Sequence, residues 1–452
     1  MKLRVLLFVL LLPQVVYGAK PIEEITPEAA GYDSEKLAEL YEVADSLYMD
    51  GRIPNYVIAL YKDQKRFFTA SRGKTRLEGG ADPRLPTELA EMLKGGSSVG
   101  PMTIFHMASM SKPIVTTGLL RLVEEGKVSL DDPLSDYFPD FAQMMVAPDG
   151  DFNNQFEPAK REILLLDLIR HTSGFSYPEN IAGFGDVGKL YGELGIFSLF
   201  ASEKDMSENM ATLSEVPLVA HPGESFNYSV SVDVIGAIIE KVTGKDLASY
   251  IQETIFDPLE MKSTGWFLKP DQLYQTADIY GSQPLSASAP FRALGKLDDS
   301  GIEWKIQNVM PGFYFTQVPS FYSGGGGILS TADDYAKYLM MLANEGSFGD
   351  VEVLKKSTVS LHTNPLISDI GALQRAFGEA AQYMTFGGGL GIKNEATDLN
   401  IVDYYFWAGA FNTFFWIDPS DKSVGVFLTA HWPVQYNISD RLEQIVDEAR
   451  VR

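Results

Sequence analysis

A serine and a lysine three residues apart on a helix lie on one face, one turn from each other. Two serines in this chain are followed by a lysine three places on, Ser109 by Lys112 and Ser71 by Lys74. A serine in the first turn of a helix sits among backbone N–H groups that the helix leaves unbonded, and these stabilise an oxyanion forming on an attacked carbonyl. A lysine withdrawn from water loses part of its proton affinity and can accept the serine proton. The two pairs differ in company. Ser109 belongs to Phe105-His106-Met107-Ala108-Ser109-Met110-Ser111-Lys112-Pro113, which runs into an apolar helical stretch from Ile114 to Glu125. Proline is tolerated within a first turn, so a helix beginning near Ser109 is expected. Ser71-Arg72-Gly73-Lys74 follows a strand-like run in a charged turn with no apolar helix after it, and reads as coincidence.

Other chemistries fit less well. Gly96-Ser97-Ser98-Val99-Gly100 matches a nucleophile elbow, but an elbow needs a strand before it and a helix after it. Here a helical stretch precedes Ser98 and Pro101 follows. The five histidines, His106, His171, His221, His362 and His431, have no metal-ligand spacing, so no metal and no cofactor is expected. His171 and His431 read as structural hydrogen-bonders.

The elements that must position Ser109 follow from the apolar pattern. Asp33-Ser34 precedes an amphipathic helix over Glu35 to Met49, and Ile438 to Val451 closes the chain as another. Tyr56 to Tyr61 and Arg66 to Ala70 read as strands joined by a polar turn. Asn412 to Ile417 and Ser423 to Thr429 read as a second hairpin. Between them, helices are expected at Leu164 to Arg170, Ser231 to Thr243, Leu247 to Glu253 and Thr331 to Asn344, with a short one at Pro86 to Leu93. The run Ser323-Gly324-Gly325-Gly326-Gly327 lacks a following Gly-Lys-Ser/Thr and is no phosphate loop. It reads as a close-packed turn entering the next helix, capped by Ser330 or Thr331. The fold class is therefore α+β: an antiparallel sheet built from both ends of the chain, flanked by terminal helices, with a mostly helical lobe inserted. The expected division is a leader over 1–18, an α/β lobe of 19–112 and 325–452, a helical lobe of 113–324, and the active site between the lobes.

Composition narrows the function further. Lys2 and Arg4, the apolar run Val5 to Leu12 and the small residue Gly18 have the layout of a secretory leader, so export to the periplasm or medium is expected, with cleavage after Gly18. The run is shorter than the roughly 20 residues that span a bilayer, and no later segment is long and apolar enough. No membrane span is expected after cleavage. The chain has no cysteine, which excludes disulfides and a thiolate nucleophile. The net charge is −23, and −25 without Lys2 and Arg4, which disfavours nucleic acid as a partner. The expected partner is a small-molecule acyl substrate. Aromatic stretches at Phe313-Tyr314-Phe315 and Phe321-Tyr322 read as core.

Five landmarks in order give a resemblance that covers about residues 25 to 430. They are Ser109-Met110-Ser111-Lys112, Leu168 to Phe175, Pro222-Gly223-Glu224-Ser225-Phe226-Asn227-Tyr228-Ser229, Tyr322 to Thr331, and Trp407-Ala408-Gly409-Ala410. Together they resemble the class C β-lactamase-like serine hydrolases, a group that includes DD-peptidases, family VIII carboxylesterases, amidases and acyltransferases. The resemblance implies that Ser109 is the nucleophile, Lys112 its partner and Tyr228 a shared general base and acid, its phenol held near ionisation by Lys112. It also implies an oxyanion hole from the N–H groups of Ser109 and Ala410. Two places depart from the lactamase pattern: Val230 stands where the tyrosine motif ends in asparagine, and Trp407 stands where the third motif begins with lysine. Losing that cation removes a charge-assisted contact to an anionic substrate and leaves an apolar wall of Trp407, Ala408, Gly409 and Val230. The expectation is a carboxylesterase on neutral acyl esters. The alternatives are a β-lactamase, DD-peptidase, amidase or acyltransferase on the same scaffold, or a non-catalytic binding protein that keeps the fold.

Overall fold

Along the strand Asn55–Lys62 every residue as far as Tyr61 is buried, and the two faces go to different places. Val57, Ala59 and Tyr61 enter one apolar cluster, while Tyr56, Ile58 and Leu60 enter another. Side chains on a strand alternate between faces, so an unbroken apolar run marks a strand covered on both sides. Phe415 and Ile417 likewise face the first cluster, and Phe414 and Trp416 the second. Each fully buried Val, Leu, Ile or Phe is worth roughly 1.5–3 kcal/mol, so two such slabs hold the molecule without a disulfide.

The computed structural model describes residues 22–77, 95–179, 181–198, 204–282, 306–309, 318–367, 373, 382–395, 401–432 and 438–451. Its main sheet runs, from edge to edge, Glu23–Glu24, Lys65–Gly73, Asn55–Lys62, Val424–Leu428, Thr413–Ile417, Val402–Gly409, Gly391–Asn394 and Met384–Phe386. All neighbours are antiparallel except the first pair. The junction of the two chain ends is the ladder in which Val424 faces Tyr61 and Leu428 faces Val57. The sheet is thus assembled from both ends, as the hairpin signals led one to expect.

The outer face is closed by the helices Glu39–Met49 and Ser439–Ala449, which bury Leu40 with Ala44 and Leu442 with Ile445, Val446 and Ala449. Such spacing puts one apolar stripe on the sheet and leaves most charged residues outside, Glu443 being buried on Lys393. A short helix Ser34–Leu37 leads in, capped by the Asp33 carboxylate, which accepts from Glu35 N at 2.8 Å and Lys36 N at 3.1 Å. On the inner face lies Ser111–Glu124, buried on every side from Ser111 to Leu120, with Ser231–Thr243 and Ala332–Ala343 beside it. A helix apolar all round belongs in a core rather than at a surface. Residues of both expected lobes, Ile114, Val115 and Ile235 with Val57, Phe415 and Val426, meet in this one cluster. The 112/113 boundary falls inside the Ser111–Glu124 helix.

Several boundaries differ from expectation. The helix expected over Leu164 to Arg170 is Leu165–Ile169, ended by His171 at φ 55°. That expected over Leu247 to Glu253 is Leu247–Ile251, followed by one wider turn, Gln252–Phe256. Thr331 proves to be the cap of Ala332–Ala343, its hydroxyl accepting from Asp334 N at 3.0 Å. The leader, the Pro86 to Leu93 helix and Phe313 to Phe315 lie outside the described residues. Phe321 is buried in the inner core.

Candidate active site

From Thr103 to Leu120 every residue is buried except Ser109. The chain arrives on the two-residue strand Phe105–His106, which pairs with Leu329–Ser330, and turns through a single 3-10 turn, Ala108–Met110, into the Ser111–Glu124 helix. Ser109 therefore stands on a tight turn just ahead of the α-helix, where the sequence placed it within the helix's first residues. Ala108, directly before it, has φ 47°, a left-handed conformation that costs an alanine energy and that the packing on both sides must enforce.

Lys112 is 1% exposed, and its ammonium group donates to Ser109 Oγ at 3.3 Å and to the Gly325 carbonyl at 2.6 Å. Its Nζ lies 4.6 Å from the centre of the Tyr228 ring and 5.3 Å from that of Tyr177. Burial pushes the amine down to about 7, against the pull of the Asp233 carboxylate. Near neutrality a large share of Lys112 is therefore an uncharged base touching the serine hydroxyl.

Tyr228 is buried among rings, 4.8 Å from His171, 5.4 Å from Tyr177 and 5.6 Å from Trp407 between centroids. Burial pushes its phenol up, with hydrogen bonds to Ser109 and Trp407 working the other way. This corrects the expectation that Lys112 holds the phenol near ionisation. In the resting site the phenol keeps its proton, because burial from water outweighs everything that favours the phenolate. Burial, with Lys112 nearby, also holds His171 well below its ordinary value, so its ring is neutral. Its Nδ1 lies 3.5 Å from Ser229 Oγ.

The strand Val402–Gly409 brings up the other wall. Trp407 is 6% exposed and packed against Tyr228, Phe386 and Phe406. An indole can only donate, and its influence on the Tyr228 phenol works against that of burial. Trp407 thus contacts the phenol rather than forming an open apolar wall. Ala408 does not line the site. One residue on, its side chain points to the opposite face and packs in the outer cluster. Val230 is fully buried in the inner core, with its N–H on the Ser176 carbonyl at 3.2 Å, and presents no surface to a ligand. Gly409 marks a close approach: a Cβ there would stand 2.2 Å from Thr413 Oγ1 and 2.3 Å from the Met107 carbonyl. Only glycine lets the strand end reach the nucleophile turn, where Ala410 packs in a small cluster with Ala108, Ile279, Phe411 and the half-buried Trp432.

Two residues that the sequence reading passed over complete the site. Asp233, in the first turn of Ser231–Thr243, accepts from Ser323 Oγ at 2.6 Å and Gly325 N at 3.0 Å. Tyr177 stands beside Tyr228, its ring centre 5.3 Å from the lysine amine. The available signal for Asp233 was one acid inside a helical run, Val232 to Ile239, that is otherwise without polar side chains. The rejected candidates stay apart. Ser98 is exposed in an isolated bridge with Lys74, and no helix follows it until Ser111. Among the described residues no group of acids and histidines could hold a metal ion. His431 lies against Asn412, whose amide donates to the His431 carbonyl at 2.9 Å.

A buried lysine on a serine hydroxyl, a protonated phenol beside both and a close backbone approach form a site for nucleophilic acyl transfer. Comparison with known proteins agrees. The family model described as Beta-lactamase matches residues 36–446. A protein of Mycobacterium tuberculosis is 30% identical over 351 residues, covering 73% of this chain and 78% of its own length. Esterase EstB of Burkholderia gladioli is 31% identical over 254 residues, 54% of this chain and 58% of that one. In fold, the simvastatin synthase LovD of Aspergillus terreus superposes with a TM-score of 0.69 at 21% identity, over 92% of this chain and 97% of that one.

Proposed function

The chain belongs to the beta-lactamase family and is a serine hydrolase, and we propose that it is a carboxylesterase acting on neutral acyl esters through a Ser109 acyl-enzyme. The observation that carries this reading is the group resting on the catalytic phenol. It is the neutral indole of Trp407, in the place where the lactamase pattern has a cation. Without that cation the site has no charge there to pair with an anionic substrate, which argues against a β-lactamase or DD-peptidase.

The proposed steps follow the protons. Ser109 Oγ attacks the ester carbonyl and passes its proton to the Lys112 amine, while the N–H groups of Ser109 and Ala410 hold the oxyanion. Tyr228 protonates the leaving alkoxide and becomes a phenolate. At that point the Lys112 ammonium, over the face of its ring, favours the ionised phenol. The phenolate then takes a proton from water as that water attacks the acyl-enzyme, and Lys112 returns its proton to Ser109 as the acid leaves. In this scheme the lysine favours an ionised tyrosine only within the catalytic cycle. Amide cleavage or acyl transfer would use the same residues with a different leaving group or acceptor. The basic start and apolar run before Gly18 support export, and no helix among the described residues is long and apolar enough to cross a membrane.

The test is a fluorophosphonate probe with mapping of the modified residue, followed by a panel of p-nitrophenyl esters, anilides and cephalosporins. The expected result is a label on Ser109 and a kcat/KM for short neutral esters at least about a hundredfold above that for lactam ring opening, since a lost charged contact is worth a few kcal/mol. A panel in which the cephalosporin ring is the best substrate would overturn the esterase reading.

A further inference from the structure

Asp233 is 2% exposed and carries a carboxylate into the inner core, where an unpaired charge is costly. Its Oδ1 accepts from Ser323 Oγ at 2.6 Å and from Gly325 N at 3.0 Å. Ser323 Oγ in turn accepts from Gly326 N at 3.2 Å. That N–H belongs to the same peptide unit as the Gly325 carbonyl, on which Lys112 Nζ donates at 2.6 Å. The lysine's other hydrogen bond is to Ser109 Oγ at 3.3 Å. An unbroken chain therefore runs from the nucleophile through Lys112, the Gly325–Gly326 peptide and Ser323 to Asp233. Hydrogen bonds in such a chain polarise one another in a low dielectric.

The glycine run makes this possible. A Cβ on Gly325 would stand 2.4 Å from Asp233 Oδ2 and 2.9 Å from Tyr177 Oη, so a side chain there would push the backbone off the carboxylate and off the lysine. The turn that the sequence marked as close-packed is close-packed against the catalytic lysine.

We propose that Asp233 is a positioning residue for Lys112, acting through Ser323 and the Gly325–Gly326 peptide, and that it governs both where the amine points and how readily it takes the proton from Ser109. This rests on the serine-hydrolase reading above. The titratable groups around the pair are few. Tyr177 and Tyr228 face Lys112 with their rings, and His171 feels its charge but is neutral. Asp233 pushes both phenols up and draws Lys112 up against burial. It is thus the anion that offsets the desolvation of the lysine.

The sign of the consequence is fixed. Catalysis needs the neutral amine, so the rate falls as pH drops through the lysine's value, which lies near 7. Replacing the carboxylate by a neutral amide removes what stabilises the ammonium, and the acid limb moves to lower pH. The experiment follows the rate of Ser109 phosphonylation by a fluorophosphonate against pH in the full-length protein, with folding checked by circular dichroism. Asp233→Asn is expected to lower the acid limb by about one pH unit and the plateau by about tenfold, since a weaker base removes the proton more slowly. Ser323→Ala keeps the charge but cuts the chain, so the plateau should drop at least about threefold with a smaller movement of the limb. A folded Asp233→Asn protein with the parental limb overturns the proposal. If that variant does not fold, a Ser323→Ala protein with parental plateau and limb overturns it instead. Labelling of another residue in the parent protein removes the serine-hydrolase reading, and the inference with it, and is told apart by the mapped site.

Discussion

Ser109 with Lys112 and Ser71 with Lys74 are the same pattern in two regions of one molecule. The first pair straddles the entry to a helix buried on all sides, and the lysine is taken out of water beside the serine. Ser71 lies on the strand Lys65–Gly73, opposite Val57, and Lys74 follows it as an exposed residue bridged to Ser98. On extended chain, residues three apart point to opposite faces. Identical spacing thus makes a base and its acid in one place and two unrelated surface groups in the other. What activates a serine is less the lysine's presence than its dehydration at contact distance.

That contrast can be broken or sharpened by substitution. Ser109→Ala should lower hydrolysis of a short p-nitrophenyl ester by about four orders of magnitude or more, as loss of a nucleophile does. Near-parental turnover in that variant would place the chemistry elsewhere. Tyr228→Phe keeps the ring stack but removes the phenol, and kcat should fall about 10²–10⁴-fold. A fall below tenfold would leave the buried lysine to act alone. Trp407→Phe preserves the aromatic packing and takes away only the indole N–H on the phenol. One neutral hydrogen bond is worth about 1 kcal/mol, so a drop in kcat of about fivefold is expected, with KM nearly unchanged. A rise in KM alone would return Trp407 to the role of substrate wall. Ser71→Ala and Lys74→Ala, the control end of the comparison, should each leave kcat/KM within about twofold of the parent. A large loss in either, with folding intact, would undo the distinction.

The sheet was legible because Tyr56 to Tyr61 and the Thr413 and Val424 strands are unbroken apolar runs bounded by polar turns. Thr331 was legible as a cap because a hydroxyl before a helix has little else to do. Ala408 was misplaced because reading a motif as a unit ignores the two-residue period of the strand that carries it. Tyr228 lies beside Lys112, but the upward push of burial on its phenol depends on how completely water is excluded, which residue types do not encode. Asp233 went unseen for a related reason. Its partners Ser323 and Gly325 lie about ninety positions away, and only the folded core brings them together.

The ladder joining Val57 to Leu428 also governs the order in which the protein can be made. The central strand pairing closes a loop of more than three hundred residues, and contacts of such long range slow folding, because the closure entropy must be met before the pairing rewards it. The turn that presents Ser109 is clamped through Met107 by Thr413, so its geometry awaits the same event. Until synthesis has passed Leu428, the emerging polypeptide carries its nucleophile on an unfinished scaffold, with the Asn55–Lys62 edge open to wrong partners.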